Sequence, residues 1–283
     1  MEKRIIVRGL LVGALGGVLA FVFARIFAEP FIQKAIDYES GREEAQAALA
    51  AAAGHPELHM DHELFTRAVQ SNVGIGFGIL LFGIAMGAIF AVVYSVAVGR
   101  VGKISPRTLS LLVAGGLFLG LYFVPFLKYP ANPPAVGHEE TIKDRTALYL
   151  AMVVCSLLFL VAAIWLGKRL ASRFGNWTAT LLAAAAFGVA IGVVMLLLPS
   201  IGHLSTNVDE YGALATETPP PLTDASGKIV YPGFPADDLY AFRLYSLAAQ
   251  AILWATIGLS FAPMASRLFG STNSSRDELV GST

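Results

Sequence analysis

Long runs of apolar residues alternate with polar segments along this chain of 283 residues. A helix rises 1.5 Å per residue, so about 20 apolar residues cross a hydrocarbon layer roughly 30 Å thick. Six runs of that kind are present, each nearly free of charge: Ile5 to Phe27, Asn72 to Val98, Leu109 to Leu127, Thr146 to Leu166, Trp177 to Leu198 and Leu244 to Met264. The pattern predicts an all-α fold, a polytopic membrane bundle of about six transmembrane helices.

The first apolar run follows Lys3 and Arg4 and could therefore be mistaken for a secretory signal peptide. It is longer than the apolar region of such a peptide, and the small residues near Ala24 and Ala28 match a cleavage site poorly. We therefore expect this run to be retained as a helix. If it is not retained, five helices remain rather than six.

Lysine and arginine concentrate in the short connections and near the chain ends: Lys3, Arg4, Arg8, Arg100, Lys103, Arg107, Lys168, Arg169, Arg173, Arg267 and Arg276. Positively charged loops are retained on the cytoplasmic side, so both termini are expected to be cytoplasmic. The longer segments near 28–71, 128–145 and 199–243 are then the outer loops. We expect one integral membrane domain over 1–270, followed by a disordered cytoplasmic tail over 271–283.

Composition agrees with a membrane protein, because 55% of the residues are hydrophobic and only 14% are charged. The formal net charge of zero conceals an asymmetry. All five histidines and all acidic residues except Glu2, Asp277 and Glu278 fall in the outer segments. An acidic outer face concentrates cations, and nothing in this distribution indicates a nucleic-acid partner.

The stretch "GHPELHMDHELF" holds three of the histidines, His55, His59 and His62, at helical spacing i, i+4 and i+7. Asp61 adds a carboxylate beside them. Imidazole together with carboxylate suits divalent cobalt, nickel, zinc or copper, so these four residues are a candidate metal site. The alternative is a solvated acidic helix whose histidines bind nothing.

Within the apolar runs, glycines recur at helical spacing and predict close helix packing, or a path where backbone approaches a permeating ion. These ridges are Gly9, Gly13 and Gly17; Gly83 and Gly87; Gly116 and Gly120; Gly188 and Gly192. Few polar side chains accompany them, and the candidates for a path or an interhelical clamp are Asn72, Lys128, Asn132 and Gln250. Near the outer loops, Arg145 could pair with Glu139, Glu140 or Asp144, and Asp237 or Asp238 could cap the last helix.

The sequence does not indicate an enzyme, because it shows no nucleophile beside a base and no cofactor fingerprint. It also lacks a Walker A motif, so ATP hydrolysis by this chain is not expected. The one cysteine, Cys155, lies within an apolar run and is most simply a packing residue.

Three stretches are long and unusual: "FAEPFIQKAI" after the first run, "PFLKYPANPPAVG" followed by "TIKDRT", and "FPADDLYAFRLYSLAAQAILW". With them the chain resembles the CbtA family of proposed cobalt transporter subunits over nearly its whole length. The resemblance implies a multi-pass protein of the cell (inner) membrane that takes part in cobalamin-linked uptake of divalent cobalt, or nickel, without a tightly bound cofactor. It also implies a small single-helix partner, CbtB, with a histidine-rich end. The alternative function is a non-transporting membrane scaffold or metal-sensing partner subunit.

Overall fold

The computed structural model describes residues 2–54, 74–102, 104–137, 140–212, 214 and 217–280. Its helices are α1 (Glu2–Phe27), α2 (Glu29–Ala52), α3 (Ile75–Ala97), α4 (Pro106–Phe118), α5 (Val124–Lys128), α6 (Ile142–Leu197), α7 (Ser205–Tyr211) and α8 (Ala236–Val280). A π-helical turn, Leu119–Phe123, joins α4 to α5, and a 3-10 turn, Ile201–His203, precedes α7. A short antiparallel pair, β1 (Leu222–Thr223) and β2 (Ile229–Tyr231), completes the described elements. The prediction of an all-α membrane protein is confirmed.

Five helical stretches of the described chain are long and apolar enough to cross a membrane: Glu2–Phe27, Ile75–Ala97, Pro106–Lys128, Ile142–His203 and Ala236–Leu268. The fourth is much longer than a bilayer requires, since it contains 62 residues. It includes both the fourth and the fifth of the apolar runs predicted from the sequence.

Helix α6 reverses direction at Gly175, whose φ of 75° and ψ of 164° lie outside the helical region. A Cβ placed on Gly167 would lie 3.4 Å from the Cβ of Ala183. In a straight helix these two positions would be about 24 Å apart. The element is therefore a hairpin of two helical arms, one for each predicted run. That all six apolar segments cross the membrane, with both termini inside, stays a prediction.

A π-helical turn precedes Pro125 in the third apolar stretch. Proline lacks the N–H that would donate to the carbonyl four residues earlier, here the carbonyl of Leu121. Tyr149 of α6 donates its hydroxyl to that carbonyl at 3.2 Å. Ser156, also on α6, donates its hydroxyl to the carbonyl of Gly120. Side chains of α6 thus satisfy backbone acceptors that the irregular turn leaves open, as buried apolar surroundings require.

The chain divides into two compact units, and the first comprises described residues within 1–26, 63–119 and 247–283. Glycines of α1 and α3 face each other there: a Cβ on Gly13 would lie 2.8 Å from the Cα of Gly87, and one on Gly83 would lie 2.7 Å from the Cα of Gly17. Such close approach of two backbones is the usual packing of small residues in membranes. The two predicted glycine ridges form one seam.

Around that seam, α8 packs through aromatic and small side chains. Phe261 lies edge-on to Phe90 and Tyr94, with ring centroids 5.0 and 4.9 Å apart, and all three side chains are fully buried. Ser110 of α4 donates its hydroxyl to the carbonyl of Gly258 at 2.8 Å. The described contacts between these helices are therefore mainly apolar, and Ser110 supplies a buried neutral hydrogen bond.

The second unit comprises described residues within 27–62 and 120–246. Helix α2 contributes Tyr38 to a buried apolar cluster with Val136, Phe234 and Leu239. The Tyr38 hydroxyl donates to the carbonyl of Pro232 at 3.0 Å, and the β-hairpin lies beside it. These polar-segment residues are thus packed against each other as a small core. One membrane domain over 1–270, with a separate tail over 271–283, stays a prediction.

Candidate functional site

A buried carboxylate, Glu217, lies at the centre of a polar cluster in the second unit and is only 1% exposed. Its Oε1 accepts hydrogen bonds from Thr141 Oγ1 at 2.6 Å and from Asn207 Nδ2 at 2.9 Å. Its Oε2 lies 3.3 Å from Arg145 NH1. We call these four residues, Thr141, Arg145, Asn207 and Glu217, the Glu217 cluster.

Local backbone structure positions the donors of this cluster. The N–H of Arg145 donates to the carbonyl of Thr141 at 2.8 Å, which is the first turn of α6. Residues four apart share one helix face, so both side chains reach the same carboxylate. Asn207 lies on α7 and also donates its amide to the carbonyl of Ile201 at 2.8 Å. The start of α6, helix α7 and the segment that carries Glu217 itself therefore meet in this cluster.

Gly137 lets the backbone pass close to this ion pair. Its φ of 114° is one that L side chains rarely adopt. A Cβ there would also lie 2.5 Å from Arg145 NH1 and 2.7 Å from Glu217 Oε2. The position therefore requires glycine for both conformation and space.

Two cavities lie beside the Glu217 cluster and share Pro130, Asn132 and Ile201 in their walls. The larger, about 480 Å³, has an aromatic wall that includes Tyr122, Phe126, Tyr129 and Tyr149, with Arg145 at its polar part. The smaller, about 140 Å³, is lined by Lys128, Asn132, Ser200, Glu217 and Arg243 together with Pro130 and Ile201. We call the smaller one the cation-lined cavity.

Arg243 of α8 holds the proline-rich segment in place. It donates from NH2 to Asn132 Oδ1 at 2.7 Å and from Nε to the carbonyl of Ala131 at 3.3 Å. Tyr129 ties the same segment to the end of α6 by donating its hydroxyl to the carbonyl of Pro199 at 2.8 Å. Two of the residues singled out from the sequence, Lys128 and Asn132, are thus brought together in the cation-lined cavity.

Gln250 lies elsewhere, in the first unit. It lines a cavity of about 200 Å³ whose other walls are Ala20, Gly78, Ile79, Phe82, Ala249 and Leu253. Its side-chain oxygen is buried, and no described residue donates a hydrogen bond to it. The structure therefore gives this amide oxygen no clamp partner, and the choice between path and clamp stays open.

The predicted metal ligands His55, His59, Asp61 and His62, and the path candidate Asn72, lie outside the described residues. Within the described ranges, no group of three or more His, Cys, Asp or Glu side chains could hold a metal ion. The metal site at His55, His59, Asp61 and His62 therefore stays a prediction.

Sequence reasoning missed the Glu217 cluster. Arg145 pairs with Glu217, which follows it by many positions, whereas the sequence predicts a partner among Glu139, Glu140 and Asp144. That closer pairing stays a prediction. Asp238, considered as a cap, accepts from Lys34 Nζ of α2 at 2.7 Å. The one available signal for Glu217 was a lone carboxylate just before the prolines of "TPPP", and no spacing rule links it to Arg145.

Comparison with known proteins adds one finding. A family model described as "Probable cobalt transporter subunit (CbtA)" matches residues 2–266. Neither the comparison with curated proteins nor that with solved structures finds a match. Because the match covers nearly the full length, the chain belongs to the CbtA family of probable cobalt transporter subunits.

Proposed function

We propose that this chain is the membrane-embedded subunit of an importer of divalent cobalt in the cell (inner) membrane, and that its outer histidine segment collects the metal. The observation that carries the proposal is the family match over residues 2–266 of a chain rich in membrane-length apolar helices. Membership in a transporter subunit family also points away from an enzyme.

The membrane potential is a sufficient energy source for this proposal. Moving charge across a membrane is worth about 2.3 kcal/mol per elementary charge per 100 mV, so a divalent cation gains about 4.6 kcal/mol at that potential. This corresponds to more than a thousandfold concentration ratio, since about 1.4 kcal/mol is tenfold. No ATPase motif is needed in the chain.

The collector is assigned to His59 and His62, helped by Asp61 and His55. A collector must release its ion, so its binding is weak, and neutral imidazole is the ligand form. Metal binding should therefore fall as the pH drops through about 6.5, where histidine is protonated.

The collector is tested by replacing His55, His59 and His62 together with alanine. Cobalt uptake should fall most at limiting cobalt and little at saturation, because a collector acts by raising the local concentration. His203→Ala, an exposed histidine elsewhere, is the matched control. Normal uptake by the triple variant at the lowest measurable cobalt would remove the collector from the proposal.

For the path we propose Gln250. An unpaired buried amide oxygen costs about 1–3 kcal/mol, so its presence beside a cavity supports a role other than packing. Its oxygen can accept hydrogen bonds from the waters of a hydrated cation. Gln250→Leu should lower uptake while leaving stability unchanged or higher, whereas Ser260→Ala in the same helix should leave uptake unchanged. A loss of stability with normal uptake per folded molecule would favour a clamp.

The family description names a subunit, so a partner is expected, and we propose a small single-helix CbtB-like protein. The second arm of α6 supports a docking place, because added Cβ atoms on Gly188 and Gly192 meet nothing within 4 Å. Replacing both glycines with leucine should abolish co-purification of the candidate partner. Gly115→Leu, at another open glycine, should not.

The competing function is a non-transporting scaffold or metal-sensing subunit, and reconstitution separates it from import. Cobalt uptake is measured in proteoliposomes that contain this chain alone, or this chain with the candidate partner. Uptake above that of empty vesicles in either preparation supports import. Its absence from both, with correctly inserted protein, supports the scaffold or sensor.

A further inference from the structure

We propose that the cation-lined cavity is a binding site for a phosphate-class oxyanion, either free or as the phosphate of a lipid headgroup. The inference goes beyond cobalt import and concerns a ligand of opposite charge. It rests on Lys128 and Arg243, the two cations in the wall of this cavity.

The cavity carries more positive than negative charge. Its only acidic wall residue among the described ones is Glu217, and Arg145 already neutralises that carboxylate at 3.3 Å. Oε1 of Glu217 accepts two hydrogen bonds within the Glu217 cluster, whereas Oε2 forms only the ion pair with Arg145 and accepts no hydrogen bond from a described residue. No carboxylate among the described residues therefore pairs with Lys128 or Arg243, and a divalent metal ion would be repelled from the cavity.

The described contacts of Arg243 and Lys128 include no group that compensates their charge. Arg243 donates only to neutral oxygens, the side chain of Asn132 and the carbonyl of Ala131. Lys128 is half-buried, and its described interaction is with the ring of Tyr129, 5.9 Å from the centroid. Removing a cation from water without a counter-charge is unfavourable, so an anion in this cavity would stabilise the folded protein.

The arrangement of donors selects the class of anion. Arg243 has five N–H donors, of which two form hydrogen bonds within the protein. The ammonium of Lys128 has three N–H donors. The hydroxyl of Ser200 adds a third donor from a separate segment of the chain. Donors that arrive from three segments suit a tetrahedral oxyanion, which accepts in several directions, and guanidinium and ammonium groups both bind phosphate. A volume of about 140 Å³ admits one small anionic group rather than a nucleotide.

The proposal is tested with the full chain, purified in a non-ionic detergent and depleted of lipid. Thermal unfolding is followed by tryptophan fluorescence while sodium phosphate replaces sodium chloride at constant ionic strength. A site that binds only the folded state raises the unfolding temperature in a saturable manner. In a second arm, phosphatidylglycerol is titrated into the same sample without phosphate.

Lys128→Gln is the decisive variant, because no described residue accepts a hydrogen bond from this side chain. Lys143→Gln, at an exposed lysine on α6, is its matched control. We expect Lys128→Gln to weaken the apparent affinity at least about tenfold, the cost of one charge-assisted contact, and Lys143→Gln to leave it unchanged. Arg243→Lys keeps the charge and should weaken binding less than Arg243→Gln.

Saturable stabilisation by phosphate that Lys128→Gln weakens supports the site with free phosphate as ligand. Stabilisation by the lipid alone, weakened in the same way, supports the site with a headgroup as ligand. Stabilisation by neither, or equal stabilisation of the wild type and Lys128→Gln, overturns the proposal. If Arg243→Gln does not fold, the comparison of Lys128→Gln with Lys143→Gln still decides.

Discussion

Replacing Glu217 with alanine should be among the most destabilising single changes outside the apolar helices. The side chain is fully buried and accepts bonds from Thr141 and Asn207 at 2.6 and 2.9 Å. Hydrogen bonds to a charged group contribute about 1.5–3 kcal/mol each. The substitution also removes the ion pair of Glu217 with Arg145, but the Arg145 side chain is 26% exposed and 3.3 Å away, so water compensates part of the loss. We expect a destabilisation of about 3–5 kcal/mol.

The measurement is equilibrium unfolding in mixed micelles, followed by tryptophan fluorescence, for a graded set of variants. Glu217→Gln keeps an oxygen acceptor and loses the charge, so it should cost less, about 1–3 kcal/mol. Thr141→Val removes one donor, and its effect should shrink when Glu217 is already alanine, because the two residues share one interaction. Glu44→Ala on α2, an exposed glutamate, should stay within about 0.5 kcal/mol of the wild type.

The reasoning about the Glu217 cluster fails if Glu217→Ala unfolds within about 0.5 kcal/mol of the wild type, as an exposed substitution would. It also fails if Thr141→Val and Glu217→Ala are strictly additive, since residues that share a hydrogen bond should be coupled.

Three further substitutions test the apolar helices by the same unfolding measurement. Gly13→Leu should lower the free energy of unfolding by about 1–3 kcal/mol or more, because it overpacks the seam of α1 and α3. Gly115→Leu, with open space around it, should have little effect, and equal effects of the two variants would contradict the seam. Gly175→Ala should lower the free energy of unfolding by about 1–3 kcal/mol, because the φ of 75° and ψ of 164° at this position suit only glycine. An unchanged stability would contradict the chain reversal at Gly175. Ser110→Ala should cost about 0.6 kcal/mol by removing the bond to the carbonyl of Gly258, and a stabilised variant would show that this bond contributes nothing.

The existence of the apolar helices was determined by the sequence alone. A hydrocarbon layer demands about 20 apolar residues in a fully hydrogen-bonded helix, and that demand is local to each run. The five described helical stretches that could cross a membrane therefore coincide with the predicted runs. The two arms of α6 separate at Gly175, within the polar interval between the fourth and fifth runs. An irregular end of the third apolar helix was also predictable, because Pro125 has no backbone N–H donor in any fold.

Which surfaces meet was decided only by the tertiary structure. Several glycine ridges are equivalent in sequence, yet Gly13 and Gly87 face each other while Gly188 and Gly192 contact nothing within 4 Å of an added Cβ. Spacing places small residues on one face of a helix but does not say which helix will cover that face, because packing depends on the whole arrangement of helices.

The partners within the Glu217 cluster could not be predicted from sequence spacing either. Helical spacing placed Thr141 and Arg145 on one face, but their partner Glu217 comes from a loop that no periodic pattern describes. Asn132 and Arg243 likewise meet from distant parts of the chain. A side-chain hydrogen bond forms only within about 3 Å, so it requires the folded backbone to bring both groups together. The sequence by itself determined that these groups are polar residues of the segments between apolar runs, and the tertiary structure alone decided their partners.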